Sequence, residues 1–187
     1  MTGVSDGKAS ADMIKVQRED FDVGREIAGL YEGNLAVGGL AVFVGLVRDM
    51  AGDQAVSAMT LEHYPGMTEK MLARIEAEAG ARWPLEASLI VHRYGRLEPG
   101  ERIVLVAAAS AHRQAALEAC QFLIDWLKTK APFWKLEEGP EGAAWVEARA
   151  SDDASAARWE RPPGADKSGT AKSGPTKSGA ADPEAAE

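Results

Sequence analysis

W-L-K-T-K-A-P-F-W-K-L-E, residues Trp126 to Glu137, is the stretch on which the reading of this chain turns. Pro132 cannot continue a helix, and it biases Ala131 away from helical geometry. Upstream, Ala116, Ala119, Cys120, Leu123, Trp126 and Leu127 recur at three- and four-residue spacing and make one apolar stripe. The spacing predicts a helix from about residue 111 to 130, with Ser110 as its N-cap. Beyond the proline, Phe133 to Glu137 reads as a strand, E-G-P-E-G as a turn, and Trp145 to Glu147 as the returning strand. A long helix that runs straight into a hairpin sets the character of the fold.

The same stretch gathers charge. Lys128 and Lys130 fall in the last helical turn, where cations complement the helix dipole, and this alone accounts for Lys128 in an ordinary helix. Lys135 follows on the strand. His112 and Arg113 occupy the first turn, where free backbone N–H groups and partial positive charge already favour an anion. The chain as a whole carries a formal charge of −8, so these cations are a local concentration and suggest an anion site.

Outward from this helix the elements alternate. Met13 to Arg18 reads as a strand, Val23 to Tyr31 as a short helix, and Gly38 to Arg48 as a glycine- and valine-rich strand. Asp49 to Gln54 reads as a turn or mobile loop and Ala55 to Tyr64 as a strand. Met67 to Arg82 is a helix whose buried face carries Met71, Leu72, Ile75 and Ala79. Ala87 to Tyr94 and Arg102 to Ala109 are strands joined by L-E-P-G-E, and a last helix starts near Asp152. Without a strict βαβ rhythm, this order indicates an α+β domain.

The boundaries follow composition. Residues 1–12 are small and polar and read as a disordered leader; 13–161 form the folded domain; 162–187 repeat K-S-G, carry no large apolar residue and read as a disordered tail. An acidic chain argues against general nucleic-acid binding. No apolar run approaches a membrane span and no signal-type leader is apparent, so the cytoplasm is the expected compartment. One cysteine rules out an intrachain disulfide, and Cys120 on the apolar stripe reads as a packed core thiol. His63, His92 and His112 are scattered rather than set at ligand spacing, so no metal and no cofactor are expected.

The segments S-A-H-R (110–113) and L-K-T-K-A-P-F-W-K (127–135) resemble the catalytic, large subunit of molybdopterin synthase. So do F-V-G-L-V-R (43–48), L-E-H-Y-P-G-M-T-E-K (61–70) and W-V-E-A-R (145–149), in the same order and over roughly residues 13 to 160. The resemblance implies an α/β-hammerhead fold with a small antiparallel β subdomain, and a homodimer that binds two carriers as a heterotetramer. It implies a sulfurtransferase of molybdenum cofactor biosynthesis. Cyclic pyranopterin monophosphate would receive dithiolene sulfurs from the thiocarboxylated C-terminal Gly-Gly of a small ubiquitin-like sulfur-carrier subunit. This chain ends Ala-Ala-Glu, so the expected role is that of the catalytic partner and not the carrier.

Carried over by position, Lys128 and Lys135 are the expected catalytic residues, with Lys128 first. Phe43, Arg48, His112, Arg113 and Arg149 are the expected substrate-binding residues, Arg149 reaching the site of the other subunit. Cations flanking Lys128 would suit it to proton transfer. Fixed cations are needed because substrate and sulfur donor are both anions; two unit charges 4 Å apart repel by about 4 kcal/mol at an effective dielectric near 20. Leu46 and Leu136 stand where relatives often carry basic residues. Glu62, His63 and Tyr64 read as structural, and the second His-Arg pair, His92 and Arg93, as packing and surface residues. Two other readings compete: a module that docks the carrier or a phosphorylated ligand without turnover, and a structural assembly domain. Retention of both Lys128 and Lys135 favours the enzyme.

Overall fold

The structure, a computed structural model, describes residues 14–51, 54–146 and 150–160. The expected leader at 1–12, the tail from 162 and Arg149 lie outside the described residues. The elements run β1 (Ile14–Gln17), α1 (Val23–Tyr31), β2 (Gly39–Leu46), β3 (Met50–Ala51), β4 (Gln54–Ala55), β5 (Ala58–His63) and α2 (Met67–Arg82). There follow β6 (Leu85–Arg93), β7 (Gly95–Leu97), β8 (Arg102–Ser110), α3 (Arg113–Lys130), β9 (Phe133–Gly139), β10 (Gly142–Val146) and α4 (Ala150–Ala157).

The first sheet has the order β1-β6-β8-β2, with β1 parallel to β6 and the other pairs antiparallel. Its central strand β8 reads V-L-V-A-A-A over 104–109 because it is covered on both faces. Val104, Val106 and Ala108 face the larger core with Leu72, Ile75, Phe122 and Leu123 from α2 and α3. Leu105, Ala107 and Ala109 alternate to the other face, where Phe21 and Leu30 cover them. The second sheet, β10-β9-β5-β7, is wholly antiparallel. It has its own small core of Val47, Met59, Leu61 and Leu97. This is the α+β architecture with a separate antiparallel β unit, the α/β-hammerhead arrangement expected above.

Three expectations change. Ser110 is not the N-cap of α3: it closes β8, fully buried, its hydroxyl donating to the Pro84 carbonyl at 2.8 Å. His112 takes the cap position with no side-chain cap bond, two residues later than the helical pattern indicates, because β8 runs on through Ser110. Asp49 to Gln54 is not simply a loop, because Met50–Ala51 and Gln54–Ala55 pair as a two-residue ladder. The connection between β6 and the L-E-P-G-E turn holds β7, too short for its own periodic signal and ordered by pairing with β5.

Two glycines place β2. A Cβ on Gly38 would collide with the Ala111 carbonyl, and one on Gly39 would come within 3.3 Å of Arg113 Cα. Bare backbone therefore lets the start of β2 lie directly against the N-terminus of α3.

Candidate active site

Where the two sheets meet the C-terminal end of α3, a cavity of about 620 Å³ opens. Sheet one contributes Phe43, Leu46 and His92, and the loop after β2 contributes Arg48. α3 contributes Ile124, Leu127 and Lys128, β9 contributes Phe133, Lys135 and Glu137, and α4 contributes Asp152. Its size suits a small-molecule ligand. Apolar walls carry three fixed cations, Arg48, Lys128 and Lys135, against the two carboxylates Glu137 and Asp152.

Each side chain arrives for a local reason. Lys128 lies in the last turn of α3, which ends at Lys130 as Pro132 requires. Phe133, Lys135 and Glu137 are alternate residues of β9 and so share one face. Phe43 is more than one-third exposed on β2, an edge strand of its sheet among the described residues. Its ring lies against Gly45, where a Cβ would come within 2.8 Å of Val104 Cγ1 and 3.3 Å of the ring. The strand register then shifts between Gly45 and Leu46, turning Leu46 out to 51% exposure ahead of the exposed Arg48.

Arg48 and Lys135 share the cavity with Lys128, and each lysine also has an acid beside it. Lys128 Nζ lies 3.8 Å from Asp152 Oδ1, and Lys135 Nζ is 2.8 Å from Glu137 Oε1. Both acids were missed in the sequence. Glu137 was legible in principle, being two residues from Lys135 on a strand; Asp152 had no signal, because helix packing alone brings it to Lys128.

His92 was also missed as a cavity residue. It is 4% exposed, not at the surface, and its ring stacks on Phe133 at 3.7 Å between centroids and 17° between planes. Its Nδ1 lies 2.8 Å from the Arg93 carbonyl, an acceptor, so that nitrogen carries the hydrogen. Burial pulls its pKa down from 6.5 to about 4, partly opposed by that hydrogen bond and reinforced by His63, so the ring is neutral near pH 7. Arg93 is a buried tie, bonded to the carbonyls of Arg18 and Arg102 and to Glu101. Cys120 is buried, and burial pushes its thiol up to about 11, which keeps it a protonated core residue.

The sequence-expected site residues thus fall in three places. Phe43, Arg48, Lys128 and Lys135 line one cavity. His112 and Arg113 are exposed at the other end of α3, about 24 Å along the axis from Lys128 at 1.5 Å per residue. Arg149 lies outside the described residues. Among those described, no three His, Cys, Asp or Glu side chains come together as a metal site, and no helix is long and apolar enough to cross a membrane.

The geometry is that of an α+β domain with a cavity at the junction of its two four-stranded sheets, one that offers Arg48, Lys128 and Lys135 to a ligand. The model of the MoaE protein family matches residues 16–130. A molybdopterin synthase catalytic subunit from Pseudomonas aeruginosa is 58% identical over 147 residues, covering 79% of this chain and 98% of that protein. One from Mesorhizobium japonicum is 53% identical, covering 80% and 94%. Among solved structures, a molybdopterin biosynthesis MoaE protein from Burkholderia ambifaria superposes with a TM-score of 0.69 at 53% identity, covering 80% of this chain and 98% of that one. The chain belongs to the MoaE protein family.

Proposed function

We propose that this chain is the catalytic subunit of a molybdopterin synthase, a sulfurtransferase of molybdenum cofactor biosynthesis. It converts cyclic pyranopterin monophosphate to molybdopterin with sulfur from the thiocarboxylated C-terminus of a small carrier subunit. The observation that supports this reading is the convergence of Lys128 and Lys135, from a helix and a strand, with Arg48 and Phe43 on one cavity in a member of this family. Arg48 and the two lysines bind the cyclic phosphate and offset charge that develops as its ring opens. Phe43 offers a face to the pterin. Lys128 is the first candidate for proton transfer and Lys135 the second.

The functional assembly we propose is a homodimer with two carriers. β2 is an edge strand, and Val42 is an exposed apolar side chain on the face opposite Phe43, a surface that a second chain would cover. His112 and Arg113 are too far from Lys128 to serve the same cavity within one chain, so in this reading they act across the dimer, as does Arg149. The cytoplasm is the proposed compartment.

The test is incubation of the purified chain with a thiocarboxylated carrier and the cyclic pterin, followed by assay for the dithiolene product. Lys128→Ala is expected to abolish or nearly abolish product while the protein stays folded. An unchanged turnover rate would overturn the assignment.

A further inference from the structure

We propose that Asp152 is a positioning residue: its carboxylate, carried on α4, is the fixed counter-ion that aims the Lys128 ammonium across the cavity. This rests on the reading that Lys128 acts in turnover. Asp152 lies 3.8 Å from Lys128 Nζ, and its own side chain is less exposed, 29% against 50%. The more enclosed partner has less room to reorient, so it sets direction for the more exposed one.

What holds Asp152 there is a buried clasp between α4 and α3. Asp125, one turn before Lys128, has a side chain only 8% exposed. It accepts from Arg158 Nη2 at 2.5 Å and from Trp159 Nε1 at 2.8 Å. The Trp159 ring meets Phe122 edge-on at 5.7 Å and so anchors the chain after α4 in the larger core. α3 and α4 are therefore joined by two pairs of opposite sense: acid on α3 with base after α4, then base on α3 with acid on α4. A slide of α4 along α3 would bring like charges together, so the pairing fixes register.

Lys135 already has its own acid in Glu137 at 2.8 Å, which leaves Asp152 to Lys128. A carboxylate in an anion site also repels the substrate, so Asp152 serves orientation rather than affinity. A half-exposed pair at this distance adds little stability, and it leaves the ammonium able to meet an arriving anion while Asp152 still sets its direction.

The experiment uses the full chain with thiocarboxylated carrier and cyclic pterin, comparing Asp152→Asn, Asp152→Glu and Lys128→Ala. Asp152→Asn is expected to lower kcat by about tenfold through misdirection of Lys128, with KM for the pterin unchanged or reduced. Asp152→Glu restores kcat to within about twofold, because charge returns on a slightly longer arm. Parental kcat in Asp152→Asn, with Lys128→Ala inactive, overturns the proposal and leaves the catalytic reading standing. Equal impairment of the Glu and Asn variants, or a raised KM at unchanged kcat, also overturns it. An active Lys128→Ala removes the premise itself.

Discussion

Acidification tests the placement of His92. The imidazole sits buried against Phe133 with its pKa lowered from 6.5 to about 4, so the folded protein resists a proton that the unfolded chain accepts. A group depressed in this way contributes stability above its unfolded pKa, and that stability is lost as pH falls toward the folded value. The loss begins near pH 6.5 and runs at about 1.4 kcal/mol per pH unit, reaching about 3 kcal/mol by pH 4. Asp20, held down to about 2 by its hydrogen bond from Arg102, acts in a separate window below pH 3.8. His92→Phe keeps a ring against Phe133 and removes the titration, but gives up the bond to the Arg93 carbonyl at a cost of about 1 to 2 kcal/mol. The variant should therefore be the less stable protein at pH 7 and the more stable one at pH 4.5. The two curves should cross at about pH 5.5. Urea unfolding followed by tryptophan fluorescence at half-unit pH steps measures this directly. Parallel curves for parent and variant between pH 7 and 4.5 would refute the buried, neutral His92.

Three further outcomes are expected. Lys135→Ala should be severely impaired in dithiolene formation, and activity within twofold of the parent would count against its role. Asp125→Ala leaves the Trp159 indole N–H without its acceptor and releases a half-exposed Arg158, a loss of about 2 kcal/mol that should lower Tm by about 4–8 °C. It should also reproduce the kcat defect of Asp152→Asn, since α4 is then free to shift. A chain ending at Arg161 should match the full chain in melting temperature, size-exclusion behaviour and turnover at low salt, because the K-S-G segment carries no apolar anchor.

What the sequence by itself determined is local or carried by ordered blocks. Pro132 ends α3 at Lys130 whatever the surroundings, and apolar spacing names Leu72, Ile75 and Ala79 as the buried side of α2 before any packing is known. Arg102 to Ala109 likewise reads as a strand from sequence, and packing then covers it on both faces. The blocks around Lys128, Lys135 and Arg48 point to the family and its chemistry. Tertiary structure decided the rest. Ser110 would cap a helix by pattern, yet the sheet claims it because a buried hydroxyl must bond to the Pro84 carbonyl. His92 reads as one more strand residue, and only the approach of the second sheet puts Phe133 on its ring. Lys128 meets Asp152, and loses sight of His112 and Arg113, for one reason: contacts between distant parts of a chain follow from how helices and sheets pack, and no residue spacing encodes which charges that packing will bring together.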